Sequence, residues 1–266
     1  MKSILEKIYP WDKEKALSDI LQCYYREGSC FVNFIYFAHI VSQNLFDSSK
    51  RSNNQDDYRK MLLKGDFLLP DGIALQIFYY LATCLNRIVS SKKWLDNLNG
   101  TDFSTFFLQK VKDLYGPHKI CLLMYWAEES EVQKAKEFIS YKGYNVIYFQ
   151  NGYSEFDWEK AEKQLSEYQD TINVLMVGRS TVTNPIQELW TLKNYQKIKK
   201  NNLILMNVWG LFDWWSWKQR RAPQWVRKIK LEWLRRLITD PKRNIQKVWN
   251  SLQLFPYLFR YLVLKK

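Results

Sequence analysis

Asn173–Trp190 reads NVLMVGRSTVTNPIQELW. A short apolar run rich in β-branched residues ends on Gly178, a polar loop follows, and a helix opens at Pro185 with Gln187 and Glu188 in its first turn. The order strand, loop, helix predicts one unit of an α/β fold. Working outward, Cys30–Phe37 (CFVNFIYF), Lys119–Met124 (KICLLM), Asn145–Phe149 (NVIYF) and Leu203–Val208 (LILMNV) have the same character. Residues 127–141, 158–168 and 185–198 lie between them with helical spacing, as in Val132, Ala135, Phe138 and Ile139 set among charges. Strand–helix–strand repetition predicts an α/β protein with a mainly parallel, Rossmann-like sheet and flanking helices. Ligands of such sheets bind outside the carboxyl ends of the strands, so chemistry is expected just after each strand. Ser48–Asp57 (SSKRSNNQDD) reads as a polar, mobile loop.

Composition narrows the class. An apolar fraction of 47% over 266 residues supports a sizeable core and excludes wholesale disorder. Nine glycines are few, and no GxGxxG loop is present. Cys23, Cys30, Cys84 and Cys121 are widely spaced without a CxxC pair, and His39 and His118 add no metal spacing. Buried thiols in a reducing compartment are the expectation, with no metal and no cofactor. The N-terminal MKSILEKIYPWDKEKALSD carries charges throughout, so a leader is not expected. No apolar stretch reaches the ~20 residues of a membrane span.

Charge is distributed very unevenly. Residues 218–266 hold 14 Lys and Arg against Glu232 and Asp240, which places +12 of the net +13 in this segment. A boundary is therefore expected near Asp213–Pro223, with 1–216 as the α/β core and 217–266 as a basic, Trp-rich helical appendage. A helix from Gln224 would align Val226, Ile229, Trp233 and Leu237 on one face, with Lys228 and Arg235 on another. Two readings stay open for it. It is either a solvated basic face on a core-packed helix or a helix lying in lipid headgroups with its tryptophans at the interface. No nucleic-acid-binding motif accompanies the charge.

Two further stretches invite chemistry. In Leu68–Ala82 (LLPDGIALQIFYYLA), Asp71-Gly72 joins an apolar approach to a helix. Asp71 is either a helix cap or a general base at the sheet edge. The loop after Gly178 is either an ordinary connection or a helix start whose N–H groups and Gln187 hold a ribose, a uracil or a phosphate.

These segments together resemble the WecG/TagA/CpsF family of bacterial glycosyltransferases, from about Phe31 to Asn244. The matching residues are Asp71-Gly72, Gly100-Thr101-Asp102, Pro185-Ile186-Gln187-Glu188, Phe212-Asp213, Arg221-Ala222-Pro223, Glu232-Trp233-Leu234-Arg235-Arg236-Leu237 and Pro241-Lys242-Arg243. The resemblance implies an inverting, metal-independent transfer of an N-acetylmannosamine-type or related hexose. The donor would be a UDP-sugar and the acceptor a sugar on polyprenyl diphosphate, in cell-surface polysaccharide synthesis on the cytoplasmic face of the bacterial plasma membrane. It implies Asp71 as base, with Asn33 at the neighbouring catalytic position. Gly72, Gly178, Pro185, Gln187, Glu188 and Asp213 would face the donor. Arg221, Arg235, Arg236 and Arg243 would face diphosphate, acceptor or an anionic membrane. A homo-oligomer is left open, and a degenerate relative serving as an assembly scaffold is the alternative. The sequence departs from the family pattern in places. Asn33-Phe34-Ile35 stands where the family has Thr-x-Asn, Asn97 where an Arg is usual, and Trp209 and Trp217 where glycines are usual. A tryptophan in place of glycine is expected to narrow whatever the backbone approached.

Overall fold

The computed structural model describes residues 1–264 apart from 127, 180–183, 209, 219–221, 224–225, 227–231 and 240, and leaves aside the side chains of 232, 233, 236, 242, 243, 246 and 247. Six parallel strands form one sheet: β1 (Cys30–Tyr36), β2 (Phe67–Asp71), β3 (Ile120–Trp126), β4 (Asn145–Asn151), β5 (Ile172–Gly178) and β6 (Ile204–Asn207), in the order β2-β1-β6-β5-β3-β4. The α/β reading holds, and five of the six strands fall on the predicted runs. The sixth, β2, hides in the approach to Asp71-Gly72 because it is short and carries Pro70. Proline cannot donate to a ladder, and β2 is accordingly an edge strand, paired in register with β1 from Phe67 to Asp71.

Helices cover both faces. On one lie α2 (Lys13–Glu27), α6 (Gly100–Tyr115) and α7 (Glu129–Tyr141), whose Ile20, Phe107 and Val132 meet Val32, Leu122 and Met176 of the sheet. Against the other face pack Met61 of α4 (Asn53–Lys64), Ala161 of α8 (Trp158–Ser166) and Ile198 of α10 (Tyr195–Lys200). α3 (Phe37–Ser42), α5 (Ile73–Cys84) and α9 (Ile186–Lys193) follow β1, β2 and β5, and α11 (Leu211–Trp215) follows β6. The predicted helix at 185–198 is thus two helices, α9 and α10, with Asn194 between them.

Ser48–Asp57 is a correction. It is a 3-10 turn (Ser48–Lys50) running into α4, which opens on a capping box: Ser52 accepts from the Gln55 N–H, and the Gln55 side chain accepts from the Ser52 N–H. The S-x-x-Q signature lay inside the polar stretch and was outweighed by its lack of apolar residues.

The C-terminal segment is helical at Glu232–Thr239, Pro241–Leu252 and Leu254–Tyr257, and ends in a π turn, Leu258–Val263. It is docked onto the core. Leu254, Tyr261 and Leu262 are buried with Phe37, Phe78 and Leu75 in one apolar cluster. Arg87 donates from Nε and Nη2 to the Leu262 carbonyl at 2.9 and 2.6 Å, and Arg260 pairs with Asp47 at 3.0 Å. The expected helix from Gln224 lies largely outside the described residues, though Val226 is buried. No described helix is long and apolar enough to cross a membrane.

Candidate active site

The carboxyl ends of β1, β2, β5 and β6 bring most of the predicted residues to one edge. Asp71 ends β2 beside Tyr36, the last residue of β1. It is a strand residue, half-buried, and does not cap the helix that follows. That position belongs to Gly72, whose φ of 86° and ψ of 154° place it where an L side chain is strained. Glycine is required there for its backbone, because nothing stands within 4 Å of where a Cβ would be. Gly72 brings no capping side chain to α5, whose first turn lies at this edge with its positive dipole end. Asn97, at the usual Arg position, accepts the Gly72 N–H on Oδ1 at 2.8 Å and so fixes the Asp-Gly turn.

Next to it, α6 begins. Asn99 caps it, accepting from the Asp102 N–H at 2.9 Å and donating to the Asp102 carboxylate at 2.9 Å. Gly100 sits against the Phe34 ring and the Val208 carbonyl, which brings this helix start close to β1 and β6. An open cavity of about 550 Å³ adjoins the turn, lined by Lys13, Asp96, Asn97, Asp102, Phe103 and Phe106 among others.

The other predicted residues lie deeper. Asn33 is fully buried three residues back from the β1 end, and its Oδ1 accepts from Asn207 Nδ2 at 2.7 Å. Thr191 Oγ1 approaches Asn207 Oδ1 at 3.2 Å and the Gln187 carbonyl at 2.8 Å, and the Gln187 amide donates to Glu188 at 2.9 Å. Gln187, Glu188 and Thr191 are all fully buried. Buried polar groups need partners, so this chain ties the start of α9 to β1 and β6. Beside it, Tyr58 of α4 meets His39 Nδ1 at 2.9 Å. Burial, and after it the nearby Glu188 charge, pushes the Tyr58 phenol well above its usual range. Asn33 therefore holds the floor of the site in this geometry. Sequence reading missed His39, Tyr58, Thr191 and Asn207, because nothing local marks four residues from four elements as neighbours.

Three further predicted positions are buried or tightly packed. At Gly178 a Cβ would lie 2.6 Å from the Phe212 ring, so glycine there makes room for α11. Pro185 is the buried residue ahead of α9. Asp213 is buried on α11. Trp217 departs from expectation: it narrows nothing, since 71% of it is exposed. Its φ is 60°, in the left-handed region that favours glycine, which gives a backbone reason for glycine at this point of the family pattern. Arg235 is half-buried on the Glu232–Thr239 helix. Arg221 and the side chains of Arg236 and Arg243 lie outside the described residues, as does Trp209.

The sequence model of the WecG/TagA/CpsF glycosyl transferase family matches residues 7–266. This chain belongs to that family. Among curated relatives it is similar to two proteins named N-acetylglucosaminyldiphosphoundecaprenol N-acetyl-beta-D-mannosaminyltransferase. The one from Bacillus spizizenii (strain ATCC 23059 / NRRL B-14472 / W23) is 25% identical over 188 residues, covering 70% of this chain and 65% of the relative. The one from Bacillus subtilis (strain 168) is 25% identical over 189 residues, covering 70% and 66%. The matched region thus spans slightly under two thirds of either relative's length.

Proposed function

We propose that this chain is an inverting glycosyltransferase that moves a hexose of the N-acetylmannosamine type from a UDP-sugar to a sugar on polyprenyl diphosphate. The observation that carries the reading is the Asp71-Gly72 turn: a half-buried carboxylate at the end of an edge strand, at the start of α5, with Asn97 linking the turn to an open cavity. Inversion requires one in-line displacement. The Asp71 carboxylate takes the proton of the acceptor hydroxyl as that oxygen attacks the anomeric carbon, and the nucleoside diphosphate leaves with the bonding pair. The first turn of α5 suits an anion, and Arg235 with the neighbouring basic residues supplies further positive charge for the leaving group. The buried chain from Asn33 to Glu188 keeps α9 in register with the sheet.

The membrane part of the reading rests on the appendage. Its outward side shows Ile238, Ile245, Trp249, Leu252, Phe255, Phe259 and Val263, each at least half exposed, on the segment that holds nearly all the net charge. Apolar side chains among Lys and Arg fit an anionic leaflet, at which each cation contributes about 1 kcal/mol. The acceptor lipid would be met at the cytoplasmic face of the plasma membrane.

A panel of UDP-sugars assayed against a short polyprenyl-diphosphate acceptor tests the proposal. Formation of a glycosylated lipid with inverted anomeric configuration is expected, in excess chelator as well as without it. No product from any UDP-sugar would favour the scaffold alternative. Loss of turnover that Mg²⁺ or Mn²⁺ restores would overturn metal independence.

A further inference from the structure

At the amino-terminal edge of the sheet, opposite the candidate active site, three metal-capable groups converge. Cys23 lies on the penultimate turn of α2, and Gly28, with φ 73°, turns the chain so that Cys30 opens β1. Asp66 immediately precedes β2 and is stitched to β1 twice: its N–H donates to the Phe31 carbonyl at 3.0 Å, and its Oδ2 accepts the Phe31 N–H at 2.8 Å. The two Sγ atoms and a carboxylate oxygen of Asp66 all lie within 4.8 Å of one another. Among the described residues no other group of three such side chains is this close. We propose that Cys23, Cys30 and Asp66 form a structural site for one Zn²⁺ ion, independent of sugar transfer.

The chemistry of the donor set favours this occupant. Zn²⁺ takes thiolate sulfur at about 2.3 Å and carboxylate oxygen at about 2.0–2.2 Å in a tetrahedron, which sets ligand atoms roughly 3.5–3.8 Å apart. Small side-chain movements close the present spacing to that value. A cavity of about 140 Å³ adjoins the group on its Asp66 side, lined also by Arg26, Glu27, Ser29, Phe31, Tyr195 and Lys199, and admits water to the carboxylate as a source of the fourth ligand. Of the two cations on its rim, Arg26 and Lys199, Arg26 is paired with Glu27 at 2.8 Å. Two thiolates and a carboxylate offset the charge of the ion.

A disulfide would use the same two sulfurs, but the third group argues against it. Such a bond would engage only the two sulfurs, whereas one ion engages all three groups, which lie within 4.8 Å of one another. Binding as thiolates displaces one proton from each of the two thiols. The ion would clip the end of α2 to β1 and to the start of β2.

The test uses the full chain, purified under reducing conditions without added metal. Elemental analysis is expected to find one Zn²⁺ per chain. Replacement by Co²⁺ should give a thiolate-to-metal charge-transfer band. Both signals should vanish in Cys23→Ser and Cys30→Ser and persist in Cys84→Ser. Asp66→Asn, an exposed substitution that keeps the fold, should bind Co²⁺ roughly 10-fold or more weakly. A wild-type chain that holds no Zn²⁺ and gives no thiolate band with Co²⁺ overturns the proposal. So does equal Co²⁺ affinity in Asp66→Asn, or a Cys23–Cys30 disulfide in a metal-free chain. None of these readouts involves transferase activity, so the two proposals fail separately.

Discussion

Helix α2 and the Pro241–Leu252 helix are built inside out relative to each other. α2 is capped by Asp12 and buries Ala16, Leu17, Ile20 and Leu21 against the sheet, leaving its charges outside. The Pro241–Leu252 helix buries Asn244 and Asn250 and turns Ile245, Trp249 and Leu252 outward, exposed by 61%, 61% and 50%. Scattered exposed apolar residues are ordinary, but a row continuing through Phe255 and Phe259 is a patch. The difference is in arrangement: exposed apolar residues of the core are scattered, whereas those of the C-terminal segment follow one another along it, and on the membrane proposal an anionic leaflet covers them.

That contrast can be broken most severely at the core's edge. Asp71→Asn is expected to cut turnover by roughly 10²–10⁴ while leaving vesicle binding and unfolding temperature unchanged. Near-normal turnover would remove Asp71 as the base. Almost as large an effect is expected where appendage meets core. Leu262→Ala should cost about 2–5 kcal/mol in denaturant unfolding, because Leu262 is buried with the Phe37 and Phe78 cluster. An unchanged midpoint would mean that the appendage folds apart from the core. By the same packing, deletion of 217–266 should destabilise the remainder as well as remove lipid binding.

Outward residues should behave in the opposite way. Replacing Ile245, Trp249, Phe255 and Phe259 together by Ser is expected to weaken binding to anionic vesicles by about 100-fold, with stability held within roughly 0.5 kcal/mol. Co-sedimentation at two salt concentrations would measure it. Undiminished binding would leave the patch without its proposed partner. The smallest expected effect is at the site floor. Gln187→Ala removes the donor to Glu188 and should lower stability by about 1–3 kcal/mol in thermal unfolding. If UDP affinity falls in calorimetry while stability does not, Gln187 touches the donor directly, as the family pattern implies.

The sequence by itself determined the fold class, because apolar runs of strand length separated by helical spacing admit few arrangements other than a parallel sheet covered on both faces. It pointed to the edge where chemistry is expected, since residues after strands of a parallel sheet share one side. It also located the charge, which is a count. Only the tertiary structure decided what individual residues do there. Asn33, Gln187 and Glu188 read as site residues and are buried, with Asn207 of β6 joining Asn33 of β1 to Thr191 of α9. Trp217 looked like an obstruction and is an exposed residue in a glycine conformation. Cys23, Cys30 and Asp66 carried no metal spacing, because the third ligand reaches the others only through the pairing of β1 with β2. Local pattern records what each residue contributes along the chain, whereas burial and partnership depend on contacts made across the sheet.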